Sequence, residues 1–283
     1  MTDPVRPTAS GRAFSVAVGA RHGGLGATAL AVDLALLLAD RGIAALLVDA
    51  DPLMPAAAAR LETAWGEEIG VAALSPTVNH ELCQRCGACS DFCAFDALEL
   101  REAGIRFFPD RCIGCGGCRR ICPSRAITET QRLLGTARRG IVDSRLSVLE
   151  ARLAEDALGW SAPMTAWLRQ SARPAPFQMI RAVPGIGRTA REAWRGVDRL
   201  VFLDDAATDV PVPGLETDRI IRIPSRAAPR TEPGAGMIRF DGSAETARAI
   251  LRSGRLASSG GSVADGVHRL AGSLAELAGG AHG

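Results

Sequence analysis

The cysteines constrain this chain more than any other feature of its sequence. All eight lie in two runs of one pattern, Cys-x2-Cys-x2-Cys-x3-Cys, at Cys83, Cys86, Cys89 and Cys93 and again at Cys112, Cys115, Cys118 and Cys122. The second run follows the first at an offset of 29 residues, and Ala97 and Leu98 recur as Ala126 and Ile127 at the same offset. This internal repeat predicts one small duplicated module in which the thiols act together.

The spacing of each run resembles that of bacterial ferredoxins that carry two [4Fe-4S] clusters. In those proteins three cysteines of a run hold one cluster and the fourth crosses to the other. The resemblance implies Cys83, Cys86, Cys89 and Cys122 as ligands of the first cluster, and Cys112, Cys115, Cys118 and Cys93 as ligands of the second. The second run ends in Cys-Pro, as the ferredoxin pattern expects, whereas the first ends in Cys-Ala.

Two other uses of paired cysteines stay open at this stage. Zinc is also held by paired Cys-x2-Cys segments, but in sets of four ligands that leave the third cysteine step of each run unexplained. Disulfides are expected in small secreted chains. The regular fourth thiol of each repeat therefore favours iron–sulfur clusters over both.

Composition limits what surrounds the module. With 283 residues, 47% of them hydrophobic, the chain can form one large domain and a small one. A net charge of +2 from 33 basic and 31 acidic residues predicts no nucleic-acid partner. The longest apolar stretch, 27–39, contains Asp33 and is too short to span a membrane. The polar segment 1–12 does not resemble a signal peptide, so we expect a reducing, cytoplasmic compartment.

Outside the module the pattern alternates between strands and helices. An apolar strand at 13–20, a glycine-rich turn, a helix at 27–41 and a second strand at 43–48 form a βαβ unit, which requires a parallel sheet. Strands are also predicted at 177–183 and 200–203, and helices at 144–155, 162–171, 243–252 and 263–278. The fold class is therefore α/β, a mostly parallel sheet flanked by helices, with an inserted α+β ferredoxin-type domain.

This pattern divides the chain into four parts. Residues 1–75 form the first part of the α/β domain and 76–131 the inserted module. The second part of the α/β domain is predicted at 132–257. Residues 258–283 are predicted to be a glycine- and serine-rich hinge followed by a C-terminal helix.

Around the first turn the sequence resembles the MinD/ParA-type P-loop ATPases, in particular the branch with an inserted two-cluster ferredoxin domain. The family motif Gly-Lys-Gly-Gly-x-Gly-Lys-Thr corresponds to Arg-His-Gly-Gly-Leu-Gly-Ala-Thr at 21–28, and the family's Asp-x-Asp corresponds to Asp49 and Asp51. A later motif, Asp-x-Pro-Pro-Gly-Ile-Gly-Cys, corresponds to Arg-Ala-Val-Pro-Gly-Ile-Gly-Arg at 181–188. The resemblance implies a MinD-like fold and a nucleotide site at Gly23, Gly24, Gly26, Thr28, Asp49 and Asp51.

The departures from the family motifs remove the charges that phosphate chemistry needs. In a P-loop the lysine neutralises the β and γ oxygens and the threonine hydroxyl holds magnesium. Here the two motif lysines are His22 and Ala27, and the later aspartate is Arg181. The chain has no lysine at all, so no neighbouring lysine can substitute. We therefore expect no ATP or magnesium cofactor and no independent catalytic activity.

These observations predict an iron–sulfur protein that relays electrons to a redox partner protein on a MinD-like pseudo-ATPase scaffold. One alternative is an active ATPase that couples hydrolysis to electron transfer or metallocofactor assembly. A second is an interaction or assembly protein whose clusters are structural. Family members dimerise around nucleotide, so with this site altered the sequence does not decide whether the chain forms a homodimer.

Overall fold

The computed structural model describes residues 13–172, 175–204, 212, 216–224 and 261–280. Ten strands and six α-helices lie in these ranges. The strands are β1 Phe14–Ala20, β2 Ala45–Ala50, β3 Ala64–Val78, β4 Leu98–Arg101, β5 Gly104–Phe107, β6 Ile127–Ile141, β7 Leu146–Leu153, β8 Phe177–Ala182, β9 Arg199–Asp204 and β10 Ile220–Pro224. The helices are α1 Ala27–Asp40, α2 Ala88–Phe92, α3 Gly117–Ile121, α4 Ser161–Ser171, α5 Arg188–Trp194 and α6 Gly261–Gly280.

Eight of the strands form one sheet in the order β10-β9-β1-β8-β2-β7-β6-β3. Strands β10 to β7 in this order are parallel, while β6 and β3 add an antiparallel edge. All residues of β1, β2 and β8 are buried, as expected for strands covered by helices on both faces. The α/β fold with a mostly parallel sheet is therefore confirmed.

Helices cover the two faces of the sheet separately. Leu30 and Leu34 of α1 and Leu274 of α6 pack against one face, together with Leu47 of β2. On the other face, Leu168 of α4 and Trp194 of α5 pack against residues that include Phe202 of β9. The two faces therefore form separate apolar cores on either side of a single sheet.

Within the described ranges, no helix combines the length and the apolar character needed to cross a membrane.

The antiparallel edge carries the cysteine module. Strands β3 and β6 pair along their length from Ala64 opposite Ile141 to Val78 opposite Ile127, with two irregularities in register. Strand β7 pairs only with 135–141 of β6, so the outer half of this two-stranded ribbon extends beyond the sheet. Residues 79–126, with α2, α3 and the β4–β5 hairpin, lie at its tip. The predicted boundaries at 75/76 and 131/132 fall inside these two strands.

Three predicted elements differ from the structure or lie wholly or partly outside the described residues. The helix predicted at 144–155 is wrong, because β7 occupies Leu146–Leu153 between β2 and β6. Helix α6 begins at Gly261, inside the stretch predicted as a hinge, while 258–260 lie outside the described residues. The helix predicted at 243–252 also lies outside them.

Candidate functional site

The eight thiols are divided between two cavities of the module. Residues lining the first, narrow cavity include Cys83, Cys86, Cys89 and Cys122, together with Val78, Ile105 and Ile127. Residues lining the second include Cys93, Cys112, Cys115 and Cys118, together with Phe92, Phe107 and Glu129, around a volume of about 250 Å³. Each cavity thus takes three thiols from one run and the fourth from the other run.

The backbone of the module repeats along with its sequence. Left-handed conformations occur at Arg85, Gly87 and Asp96, and 29 residues later at Gly114, Gly116 and Arg125. Gly87 and Gly116 are the N-caps of α2 and α3, with φ of 79° and 73°. A residue without a Cβ adopts this conformation without strain. These turns bring the third cysteine of each run, Cys89 or Cys118, onto a short helix beside the first two.

Three of the thiols lie in surroundings that oppose isolated negative charge. Burial raises the pKa of Cys89 and Cys112, and raises the pKa of Cys118 to about 11. Neighbouring thiols add to the shift, and the Glu129 carboxylate adds to it at Cys112 and Cys118. Thiolates are the form that binds metal, and a positively charged metal centre would favour the ionised form of these three thiols.

Hydrogen-bond donors point at several of the sulfurs. The backbone N–H of Ala97 donates to Cys93 Sγ at 3.4 Å, and that of Gly114 donates to Cys112 Sγ at 3.3 Å. Burial opposes ionisation of Cys122, but the hydrogen bond with the Ser124 hydroxyl and nearby backbone N–H groups lower its pKa overall. Among the described residues, no three His, Cys, Asp or Glu side chains form a site for a single metal ion.

A second constellation lies at the carboxyl ends of β2 and β8. The Arg181 guanidinium donates from Nε to Thr28 Oγ1 at 3.1 Å and from Nη1 to Asp49 Oδ1 at 3.0 Å. The same nitrogen lies 2.8 Å from Asp51 Oδ2 and 3.3 Å from the Met54 carbonyl oxygen. The structure thus brings together three of the predicted nucleotide-site residues around a side-chain cation.

The two carboxylates of this constellation are held by backbone donors as well. Asp49 is fully buried, and its Oδ2 accepts hydrogen bonds from the N–H groups of Ala56 and Ala57 at 2.7 and 2.8 Å. Burial raises the pKa of Asp51, although Arg181 and the Met54 N–H act in the opposite direction. Both carboxylates are therefore already engaged within the protein.

The glycine-rich turn between β1 and α1 has an open backbone with two glycines in the left-handed conformation. Gly24 and Gly26 have φ of 85° and 93°, and the space that a Cβ would take on either glycine, or on Gly23, is open. The side chains around the turn do not supply the missing cations. Ala27 is buried in α1, and Arg21 forms a bidentate ion pair with Asp204, at 2.5 and 2.7 Å.

Arg188 connects the α/β domain to the module, a role that the motif comparison did not predict. It is the first residue of α5, and its guanidinium donates to the Phe95 carbonyl at 2.8 Å and to the Arg111 carbonyl at 3.2 Å. Both carbonyls belong to segments next to the second cavity, since Cys93 and Cys112 lie within two residues of them. The one sequence signal was that arginine replaces the family's cysteine at the end of the later motif.

Comparisons with known proteins find a match for the cysteine module and matches for the fold of nearly the whole chain. Residues 75–137 match the family described as 4Fe-4S dicluster domain. The septum site-determining protein MinD of Pyrococcus horikoshii OT3, solved with Mg-ADP, is 13% identical at a TM-score of 0.50 and covers 95% of this chain and 99% of its own. The cell division ATPase MinD of Pyrococcus furiosus is 14% identical at a TM-score of 0.50, covering 93% and 99%. No curated protein matches the sequence.

These matches establish a MinD-like fold with a segment similar to iron–sulfur dicluster domains. At such identities the structural likeness concerns the fold alone. The dicluster match indicates an iron–sulfur electron carrier.

Proposed function

We propose that the module holds two [4Fe-4S] clusters with crossed ligands. Cys83, Cys86, Cys89 and Cys122 bind the first cluster, and Cys112, Cys115, Cys118 and Cys93 bind the second. The single observation that carries the proposal is the division of all eight thiols into two sets of four, each around its own cavity and each drawn from both runs.

The clusters supply one-electron transfer when bound, and the chain's own residues control where this occurs. Cys86 and Cys115 are exposed, so one thiol of each set of four reaches the surface, where a partner would exchange electrons with a bound cluster. The backbone N–H groups that point at Cys93 and Cys112, and the apolar walls of the cavities, tune the potentials. We infer that the protein relays electrons to a partner redox protein in a reducing, cytoplasmic compartment.

The α/β domain is proposed to act as a scaffold without ATPase activity. In the P-loop mechanism the threonine hydroxyl and acidic side chains organise magnesium, and a lysine neutralises the phosphates. Here Arg181 lies between Thr28, Asp49 and Asp51. Its guanidinium therefore makes the contacts that a magnesium ion makes in the P-loop mechanism. Because Ala27 replaces the lysine, the turn offers backbone N–H groups but no cation to a transferring phosphoryl group.

Metal analysis of anaerobically purified protein tests the cluster proposal. We expect about eight iron and eight sulfide per chain, as two [4Fe-4S] clusters require. Cys86→Ser and Cys115→Ser should each retain about half of the iron. Zinc with little iron, or a full complement of iron in both variants, would contradict the proposal.

Paired substitutions separate crossed from uncrossed ligands. With crossed ligands, Cys86→Ala/Cys122→Ala removes two ligands of one cluster and keeps about four iron, whereas Cys115→Ala/Cys122→Ala removes a ligand from each and keeps almost none. If each run held its own cluster, the two results would be reversed. Clusters that bind but cannot be reduced reversibly would favour the structural role over electron transfer.

A further inference from the structure

The internal repeat places two chemically different side chains at one equivalent position. Leu100 and Glu129 are 29 residues apart, as are Gly87 and Gly116. Leu100 Cδ2 lies 3.5 Å from the position that a Cβ would take on Gly87, and Glu129 Oε1 lies 2.8 Å from the same position on Gly116. Each side chain thus lies against the glycine turn of its own half, one as an alkyl group and the other as a carboxylate.

The carboxylate belongs to the wall of one cavity only. Glu129 lines the second cavity with Cys112, Cys115 and Cys118, and its side chain is only 10% exposed. Among the described residues that line the first cavity, none besides the four cysteines has an ionisable side chain. The two sets of four thiols therefore face unequal electrostatic surroundings.

The ion pair that Glu129 forms does not remove this difference. Arg119 Nη1 lies 3.2 Å from Glu129 Oε2, but the arginine side chain is 63% exposed. Water screens such an exposed charge strongly, whereas a charge in the cavity wall acts through a medium of lower dielectric. The negative charge of Glu129 therefore acts on the second cavity more strongly than the positive charge of Arg119.

We propose that Glu129 makes the second cluster harder to reduce than the first, so that a single electron in the module resides on the cluster held by Cys83, Cys86, Cys89 and Cys122. Reduction adds negative charge, and a nearby carboxylate disfavours it. The internal step oxidises the second cluster by one electron and reduces the first by one, with no bond or proton transferred. This inference rests on the two-cluster function proposed above.

The test is an anaerobic redox titration of the two-cluster protein, followed by electron paramagnetic resonance. In Glu129→Gln, which keeps the shape of the side chain, we expect the lower of the two potentials to rise. A tenfold change in the reduction equilibrium, which is about 59 mV for one electron, is the smallest shift consistent with the proposal. The higher potential should change less, so the gap between the two narrows.

The equivalent position of the first half supplies the reciprocal variant. Leu100→Glu should lower the higher potential, and Leu100→Gln controls for polarity without charge. Leu100 is 40% exposed, so water weakens the effect of a charge placed there. If Glu129→Gln loses its clusters, Glu129→Leu, which introduces the residue found at the equivalent position of the first half, decides the matter in its place. An unchanged gap in protein with about eight iron would overturn the role of Glu129, whereas parent protein with little iron would overturn the two-cluster function itself.

Discussion

Arg181 forms ion pairs with both carboxylates at the carboxyl end of β2, Asp49 and Asp51. Its guanidinium contacts a hydroxyl, two carboxylates and a carbonyl, and only 8% of its side chain is exposed. Removing one member of a buried ion pair leaves an uncompensated charge, which destabilises a protein by about 3–5 kcal/mol. Arg181 therefore stabilises Asp49 and Asp51 within the fold.

Arg181→Met should accordingly lower the melting temperature of the holoprotein by several degrees, because it removes the cation and retains much of the volume. Arg222→Met is the matched control, since Arg222 pairs with Asp204 from a position 29% exposed. Its effect should be far smaller. Equal shifts in the two variants would show that the buried contacts of Arg181 add nothing.

Magnesium provides a second measurement at the same position, with alanine in place of Arg181. An oxygen-rich pocket that has lost its guanidinium suits a divalent cation. Millimolar magnesium should therefore raise the melting temperature of Arg181→Ala while leaving the parent protein unchanged. A magnesium response in the parent would mean that Arg181 does not occupy the position of the metal.

At the scale of elements, strand β7 is a segment whose local sequence predicts the wrong secondary structure. Its residues, Leu-Ser-Val-Leu-Glu-Ala-Arg-Leu, include good helix formers, and the prediction of a helix followed from them. In the structure the segment pairs with β2 and β6, and seven of its eight residues are buried. Long-range pairing overrode helix propensity, which no local pattern could reveal.

Strand β6 depends on one glycine at the point where the ribbon leaves the sheet. Gly135 has φ of 152°, and a Cβ there would come within 2.0 Å of the Arg152 carbonyl oxygen. The neighbouring register irregularity at Val71 and Ala72 lies opposite the same point. The extra twist at such a bulge directs the outer half of the ribbon, and the module with it, away from the sheet edge.

Helix α5 makes one of the contacts between the α/β domain and the module, and Arg188 is the residue that tests it. Arg188→Ala removes two hydrogen bonds to the Phe95 and Arg111 carbonyls. We expect faster amide hydrogen exchange at 94–97 and 111–113 with little change in the central strands, because the lost contacts are local. Arg191→Ala, an exposed position on the same helix, is the control. Unchanged exchange in both variants would contradict this role.

At the scale of the whole molecule, the sequence predicted the parallel sheet and the cysteine module because each has strong local signals. The βαβ unit at 13–48 and the spacing of Cys83 to Cys122 are such signals. What it could not predict depends on contacts across the chain. Arg181 reads in the sequence as a charge reversal alone, and only the fold shows that it contacts Thr28, Asp49 and Asp51. Likewise, only the fold shows that Glu129 lines the second cavity.

The whole molecule should not hydrolyse ATP above background. Helix-terminus N–H groups attract anions but do not neutralise the charge of a transferring phosphoryl group, and cationic contacts of that kind are worth ~3 kcal/mol or more each. Ala27→Lys alone should not restore turnover, since Arg181 still forms ion pairs with Asp49 and Asp51. Magnesium-dependent hydrolysis by the parent protein, abolished by Thr28→Ala, would instead support the energy-coupled alternative.

The pairing of Val78 with Ile127 has a consequence for how such a protein can be made. The chain enters and leaves the module on neighbouring antiparallel strands, so the two junctions are about 5 Å apart. The pairing of β3 with β6 therefore depends on the two strand ends lying side by side, and not on what is inserted between them. We therefore expect the sheet to fold whether or not iron and sulfide have yet entered the module.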